Sequence, residues 1–399
     1  MAGQLVSQSG GWMQRIAQSW LVLQITDSPA ALGTVVTLQF LPILTLSLFA
    51  GAAADRFPKR RSLVFIQSIG IAQSLTLALL TATGHIELWH VYMLALVQGT
   101  ANAIEQPIRQ AFPAELVGRD LLGSAIAMNS AVHNSARIVG PALGGMVVAW
   151  LDITGAFALN SVSYLAVLVS LALMRGSTIA VPPRPAERNP LKQIGEALAF
   201  AGRRPIIVYT LATLSCLATF GFNYSTFLPL LARYVLDLGP SGYGMLSAAL
   251  GAGAILGSIV IARRGYTSPL RQVAGGIAFA LMLGAVGLST SLVPTLILMA
   301  LLGGAGTFFS TTANTTVQLH VPDEMRGRIM GLYTLLLAGM TPPGALVTGL
   351  LADHWGIGVA LIVEAAICLV GVLPAWWYFG LRARGRTPEE IAGAVATRH

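Results

Sequence analysis

Four polar residues interrupt an otherwise apolar stretch: Gln98, Asn102, Glu105 and Arg109. The spacing i, i+4, i+7, i+11 places them on one face of an α-helix. Lipid cannot satisfy such a face, so it must look onto protein or a water-filled cavity. An ionised carboxylate in mid-helix is costly there. Glu105 is therefore the candidate for a group that takes up and releases a proton, the other reading being a fixed ion pair with Arg109 one turn away.

A matching face recurs later in the chain. Pro113-Ala-Glu115-Leu-Val-Gly118-Arg119 and Pro322-Asp-Glu324-Met-Arg-Gly327-Arg328 share the pattern PxExxGR, and the offset between them carries Gln98, Asn102, Glu105 and Arg109 onto Thr307, Thr311, Asn314 and Gln318. A third polar face runs through Gln4, Gln8, Gly11, Arg15 and Gln18, where Arg15 could bind an anionic group or balance Glu105. Asn223 and Tyr224, set among Phe220, Phe222 and Phe227, suit a broad amphipathic molecule or packing. Other polar residues inside apolar runs are expected to be structural. Arg137 would bond carbonyls that Pro141 leaves free, and Glu364, His133 and Asn134 would bond between helices.

No G-x-x-x-x-G-K-[ST] occurs, and Lys59 and Lys192 are the only lysines, so ATP is not the direct energy source. No catalytic triad or metal-ligand cluster stands out. No enzymatic activity, cofactor or metal is expected. Cys216 and Cys368 lie in apolar runs and read as packing residues.

The elements that must position these faces are membrane helices. Charged residues make up 10% of the chain and hydrophobic residues 55%, with a mean hydropathy of +0.71, against about 25% charge in soluble domains. The spacing predicts twelve spans, six within 1–174 and six within 206–381, among them 123–149, 154–174, 206–232 and 327–351. Between the sets, 175–205 reads as a cytoplasmic linker with a Pro-rich start and an amphipathic helix, and 382–399 as a cytoplasmic tail. The expected fold is all-α: two pseudo-symmetric six-helix halves.

The hinge Gly51–Arg61, GAAADRFPKRR, carries Asp55, Arg56, Lys59, Arg60 and Arg61 between two apolar runs. With it on the cytoplasmic side, every basic residue falls there except Arg15 and Arg137 inside helices and Arg233, and both termini are cytoplasmic. The net charge of +8 is spread over these loops, as topology alone would produce, and no nucleic-acid partner is expected. The first apolar stretch lacks a basic leader and a cleavage site, so it is expected to remain. It begins almost at Met1, which leaves room for an upstream start.

GAAADRFPKRR resembles the G-x-x-x-D-R-x-x-R-R loop of the major facilitator superfamily, and its second copy, Gly257–Arg264, has Ile261 in place of the aspartate. Gly140-Pro141-Ala-Leu-Gly144-Gly145 is similar to the GPxxGG core of that superfamily's antiporter motif. Together with GGWMQRIAQSWLVLQITDSPAALG and EQPIRQAFPAELVGRDLLGSAIAMNS, these resemble the drug:proton antiporter branch that includes macrolide-efflux proteins and the enterobactin exporter.

The resemblance implies a major facilitator fold with a cavity lined by the first, fourth, seventh and tenth spans. It makes Gly51, Asp55 and Arg56 a conformational latch, and makes Arg137, Gly140, Pro141, Gly144 and Gly145 an antiporter-like motif. The family's helix-four arginine is replaced here by Ala95, which leaves coupling to Glu105. The resulting expectation is a monomeric exporter in a bacterial inner membrane, driven by the proton gradient and moving a drug-like compound or siderophore through the lipid bilayer. Uptake, sodium coupling or facilitation, and a non-transporting receptor or lipid-handling scaffold, are the alternatives.

Overall fold

The computed structural model describes residues 2–54, 58–116, 122–173, 190–264 and 268–384. These residues are helical with no strand among them. The helices are α1 (Ala2–Thr26), α2 (Pro29–Ala54), α3 (Lys59–Ala82), α4 (Leu88–Leu116), α5 (Leu122–Leu173), α6 (Pro190–Gly202) and α7 (Pro205–Phe220). They continue with α8 (Tyr224–Tyr234), α9 (Pro240–Arg264), α10 (Pro269–Leu288), α11 (Leu292–His320), α12 (Asp323–Gly339), α13 (Thr341–Trp355) and α14 (Ile357–Arg384). Several begin on proline, whose missing N–H is no loss in a first turn.

Helix α5 runs 52 residues, about 78 Å if straight, and the bilayer core is only about 30 Å thick. It folds back at Asp152, whose φ of 62° and ψ of 177° are not helical, and so supplies two spans. Two other expected spans are broken instead. The seventh parts into α7 and α8 at Gly221-Phe222-Asn223, and the eleventh parts into α12 and α13 at Met340. Pro342 and Pro343 follow at once, and two residues without an N–H cannot continue the preceding helix's bonding. Counting each broken pair as one span gives the twelve-span, two-half architecture.

Nine stretches among the described residues are long and apolar enough to cross a membrane by composition alone. Helices α1 and α4 are not among them, because both carry polar faces that lower their hydropathy.

The packing repeats between the halves. In the first half α2 lies on α4, and α3 lies on the second part of α5; in the second, α9 lies on α11 and α10 on α14. The halves meet chiefly through α2 against α13 and α5 against α9. Both crossings use glycine for close backbone approach. A Cβ on Gly145 would stand 2.8 Å from the Cα of Gly244, and one on Gly349 would stand 3.0 Å from the Cα of Gly33. Large apolar side chains such as Phe65, Leu79, Val169, Ile297 and Val370 are exposed around the outside, where lipid would cover them.

Candidate functional site

The polar face of α4 turns toward α3 and the second part of α5. The amide nitrogen of Gln98 donates to Asn102 Oδ1 at 3.1 Å and to the Tyr164 hydroxyl at 3.3 Å. Glu105 is buried, and it is paired with Arg109 on the next turn. Gln67 Nε2 of α3 donates to the same carboxylate oxygen at 2.9 Å. The carboxylate is thus compensated by a cation and held by an amide, which is what a charge at membrane depth requires. Gln67 Oε1 and Gln98 Oε1 have no partner among the described residues.

A second polar cluster lies deeper in the first half. Gln14 Nε2 of α1 donates to Gln73 Oε1 of α3 at 2.7 Å, Asn160 of α5 donates to Gln14, and Ser163 Oγ donates to Asn160 Oδ1 at 2.8 Å. Of the α1 residues on the expected polar face, Gln18 is buried: it accepts from Gln39 at 2.9 Å and donates to the Val91 carbonyl at 3.4 Å. Gln8 is half-buried, and the Arg15 guanidinium stacks 4.1 Å over the Trp12 ring.

Gln14, Gln67, Gln73, Asn160, Ser163 and Tyr164 were not singled out from the sequence. Their signal was present, since each is a polar group inside an apolar run, but no periodicity joins residues on three different helices.

The second half is organised differently. On α11, Thr307 and Asn314 are half-buried, whereas Thr311 and Gln318 are exposed. Gln318 Nε2 donates to Asn314 Oδ1 at 2.5 Å, and the Tyr333 hydroxyl donates to the Ser310 carbonyl at 2.9 Å. At the α7–α8 break, Asn223 is buried and its Nδ2 donates to the Thr219 carbonyl at 2.5 Å. Its Oδ1 has no partner among the described residues. Tyr224 packs between Phe222 and Phe227, with ring centroids 6.0 and 5.6 Å away, and Phe222 meets Phe279 edge-on at 5.0 Å. Glu364 is fully buried on α14 and accepts from the Thr348 hydroxyl of α13 at 2.5 Å.

The helix-five motif is a packing strip. A Cβ on Gly140 would meet Trp12 at 2.8 Å, and one on Gly144 would meet the Met13 backbone at 2.8 Å, while Gly145 faces α9 of the other half. Pro141 is buried beside Gly140. Gly51 lies in the last turn of α2. Asp55 and Arg56, and the side chain of Arg137, lie outside what the structure describes.

The halves are also tied at the end where α1 joins α2. Arg233 of α8 pairs with Asp27 at 2.7 Å, and the Tyr234 hydroxyl donates to the same carboxylate at 2.9 Å. Ser28 Oγ donates to Asp353 at 3.0 Å, and Thr37 of α2 donates to the Pro342 carbonyl at 2.9 Å.

Residues 1–386 match the family described as transmembrane secretion effectors. The chain is 29% identical over 358 residues to the staphyloferrin A transporter of Staphylococcus aureus, covering 87% of each. It is 25% identical over 379 residues to the multidrug efflux pump Tap of Mycolicibacterium fortuitum, covering 92% of each. It is 24% identical over 376 residues to the enterobactin exporter EntS of Escherichia coli, covering 94% of this chain and 89% of the relative. Among solved structures, a bacterial homolog of the human lysosomal transporter Spinster, in an inward-facing and unoccupied conformation, superposes with a TM-score of 0.76 at 13% identity, covering 94% and 95%. A D-xylose-proton symporter superposes with a TM-score of 0.71, also at 13% identity, covering 94% and 96%.

Proposed function

Because this chain belongs to the transmembrane secretion effector family of the major facilitator superfamily, it is a multi-pass membrane transporter, and we propose that it exports a small organic molecule, a siderophore or drug-like compound, in exchange for protons. The observation that carries the reading is the Glu105–Arg109 pair, set on the polar face of α4 with Gln67, Gln98 and Asn102 around it. Exported molecules among the relatives, enterobactin and drugs, support that substrate class.

In this reading the basic loops face the cytoplasm, as do both termini, and the Asp27 end faces outward. The contacts between halves, α2 with α13 and α5 with α9, then close the outer end. Thr311 and Gln318 are exposed polar residues on a membrane helix, which suits a water-filled cavity open to the cytoplasm. The cavity would be shared by Gln8, Arg15, Gln98, Asn102 and Arg109 of the first half and Asn223, Tyr224, Thr307, Thr311, Asn314 and Gln318 of the second.

The ionised Glu105 carboxylate, held by Arg109 and Gln67, is an acceptor for a donor or cationic group of the substrate. Protonation neutralises it, removes that acceptor and releases the substrate. Substrate and proton thus compete for one carboxylate, which is the condition for exchange. Gly51, Asp55 and Arg56 would latch the cytoplasmic end when the transporter turns outward. Alternating access in this form requires two arrangements of the same halves.

The test uses inverted membrane vesicles holding a preset proton gradient. Added substrate, chosen from siderophores and amphipathic drugs by a susceptibility screen of a deletion strain, should dissipate the gradient with the native protein and not with Glu105→Gln at equal protein levels. Normal proton-linked export by Glu105→Gln would overturn the coupling assignment. Export that tracks a sodium gradient, or uptake, would overturn the exchange itself. A receptor or lipid-handling scaffold would move nothing in proteoliposomes and would tolerate Asn102→Trp.

A further inference from the structure

Helix α6 does not lie free. Ala197 and Ala201 are buried on one face, against α7 and α12. Arg328 Nη1, from the second PxExxGR segment, donates to Glu196 Oε2 at 2.6 Å. Arg204, just past the helix end, donates through Nη1 to the His320 carbonyl at 2.8 Å and stacks 4.4 Å over the Phe200 ring. These contacts leave a groove of about 470 Å³ whose walls include Phe200, Arg203, Arg204, Met325 and Arg328.

The charge in this groove is unbalanced. Three guanidinium groups face one carboxylate, Glu196, and that carboxylate is already engaged by Arg328. Arg203 is exposed and has no partner among the described residues. Nearby Arg326 is neutralised by Asp323 at 2.6 Å and adds nothing. Arg204 and Arg328 each use only part of a five-donor fork on their present partners, so both keep N–H groups for a further acceptor. The groove's other wall is apolar: Phe200 and Met325 line it.

The depth of the groove identifies its occupant. It lies where α6 gives way to α7 at Pro205, where α11 ends at His320 and where α12 begins at Asp323. Transmembrane helices end where the hydrocarbon ends. A cationic groove with an apolar flank at that level matches a phosphodiester headgroup with its acyl chains.

We propose that the junction of α6 with α7 and α12 is a binding site for one anionic phospholipid, with Arg203, Arg204 and Arg328 holding the headgroup phosphate and Phe200 and Met325 against its chains. The site is independent of what the transporter exports. It lies wholly within the linker and the second half, so a bound lipid fastens α6 to that half. It also gives the repeated PxExxGR pattern a use: its second arginine docks the linker and completes the groove.

The purified full-length protein, titrated in detergent with dioleoylphosphatidylglycerol or dioleoylphosphatidylcholine and read by native mass spectrometry, tests the site. Phosphatidylglycerol should be retained in preference to phosphatidylcholine. Arg203→Gln, which touches no described partner, should weaken that retention about fivefold, and Arg203→Gln with Arg204→Gln further, while Arg326→Gln leaves it unchanged. Equal retention of the two lipids would overturn the proposal, as would undiminished phosphatidylglycerol binding by Arg203→Gln. Displacement of the lipid by millimolar inorganic phosphate would also overturn it, by making the groove a free-anion site.

Discussion

Arg233 at the end of α8 reaches across the boundary between the halves to Asp27, 2.7 Å away in the turn between α1 and α2. The Tyr234 hydroxyl joins the same carboxylate, and Asp353 of α13 mirrors the link by accepting from Ser28. Each half thus offers one aspartate to the other at the end of the molecule where α2 crosses α13 and α5 crosses α9.

Removing the first link should loosen this end without unfolding the protein. Asp27 is 67% exposed at its side chain, so the pair contributes at most about 1 kcal/mol. Arg233→Ala should therefore shift the balance between open and closed arrangements up to about fivefold. Spin-label distances between α2 and α13, measured in nanodiscs, would report it, and an unchanged distance distribution would count against a gating role.

Glu105 and Arg109 should depend on each other for stability. Glu105→Gln leaves a half-buried guanidinium without its counter-charge, whereas Glu105→Gln with Arg109→Gln removes both charges. Thermal unfolding in detergent should rank native protein above the single variant, with the double variant recovering part of the loss. Both variants should lack proton-linked transport, which separates coupling from folding.

Gly145 should resist any side chain. A valine there would drive its Cβ into the Cα of Gly244 and the Pro240 carbonyl, both 2.8 Å from the position of that atom. Gly145→Val should hold α5 and α9 apart and bias the protein toward the arrangement open at the Asp27 end. A cysteine placed at Tyr243 should then react with a membrane-impermeant maleimide, whereas in the native background it stays protected at 4% exposure.

The join between the two broken spans should be sensitive to a single methyl. Gly344 lies against the Thr219 carbonyl and the Asn223 side chain, with no room for a Cβ. Gly344→Ala should destabilise by about 1–3 kcal/mol, read as a lower melting temperature. Gly327→Ala, where the space is open, should leave that temperature unchanged.

A great deal of this was legible in the sequence. Hydropathy sums along the chain, so most spans could be read from composition alone, and the polar spans such as α1 and α4 from the helical period of their polar residues. Duplication leaves a constant offset, so PxExxGR and the paired faces of α4 and α11 could be matched residue by residue. The i, i+4 spacing of Glu105 and Arg109 already contained their pairing as one of two readings. All of these are properties of a segment or of a helix turn.

Tertiary structure decided everything that depends on how one helix is rotated against another. Gln18 shares a face with Arg15 in the helical repeat, yet the crossing of α1 with α2 and α4 turns it onto Gln39 and the Val91 carbonyl. Gln14, Gln73 and Asn160 are far apart in sequence and form one cluster because three helices converge there. The breaks at Asn223 and Met340 fall inside runs apolar enough to read as continuous, and they persist because neighbouring helices and local side chains satisfy the freed backbone groups. A sequence states which residues cannot face lipid. Only the packed helices state which residues they face instead, since that partner is set by crossing angle and rotation rather than by anything local to the chain.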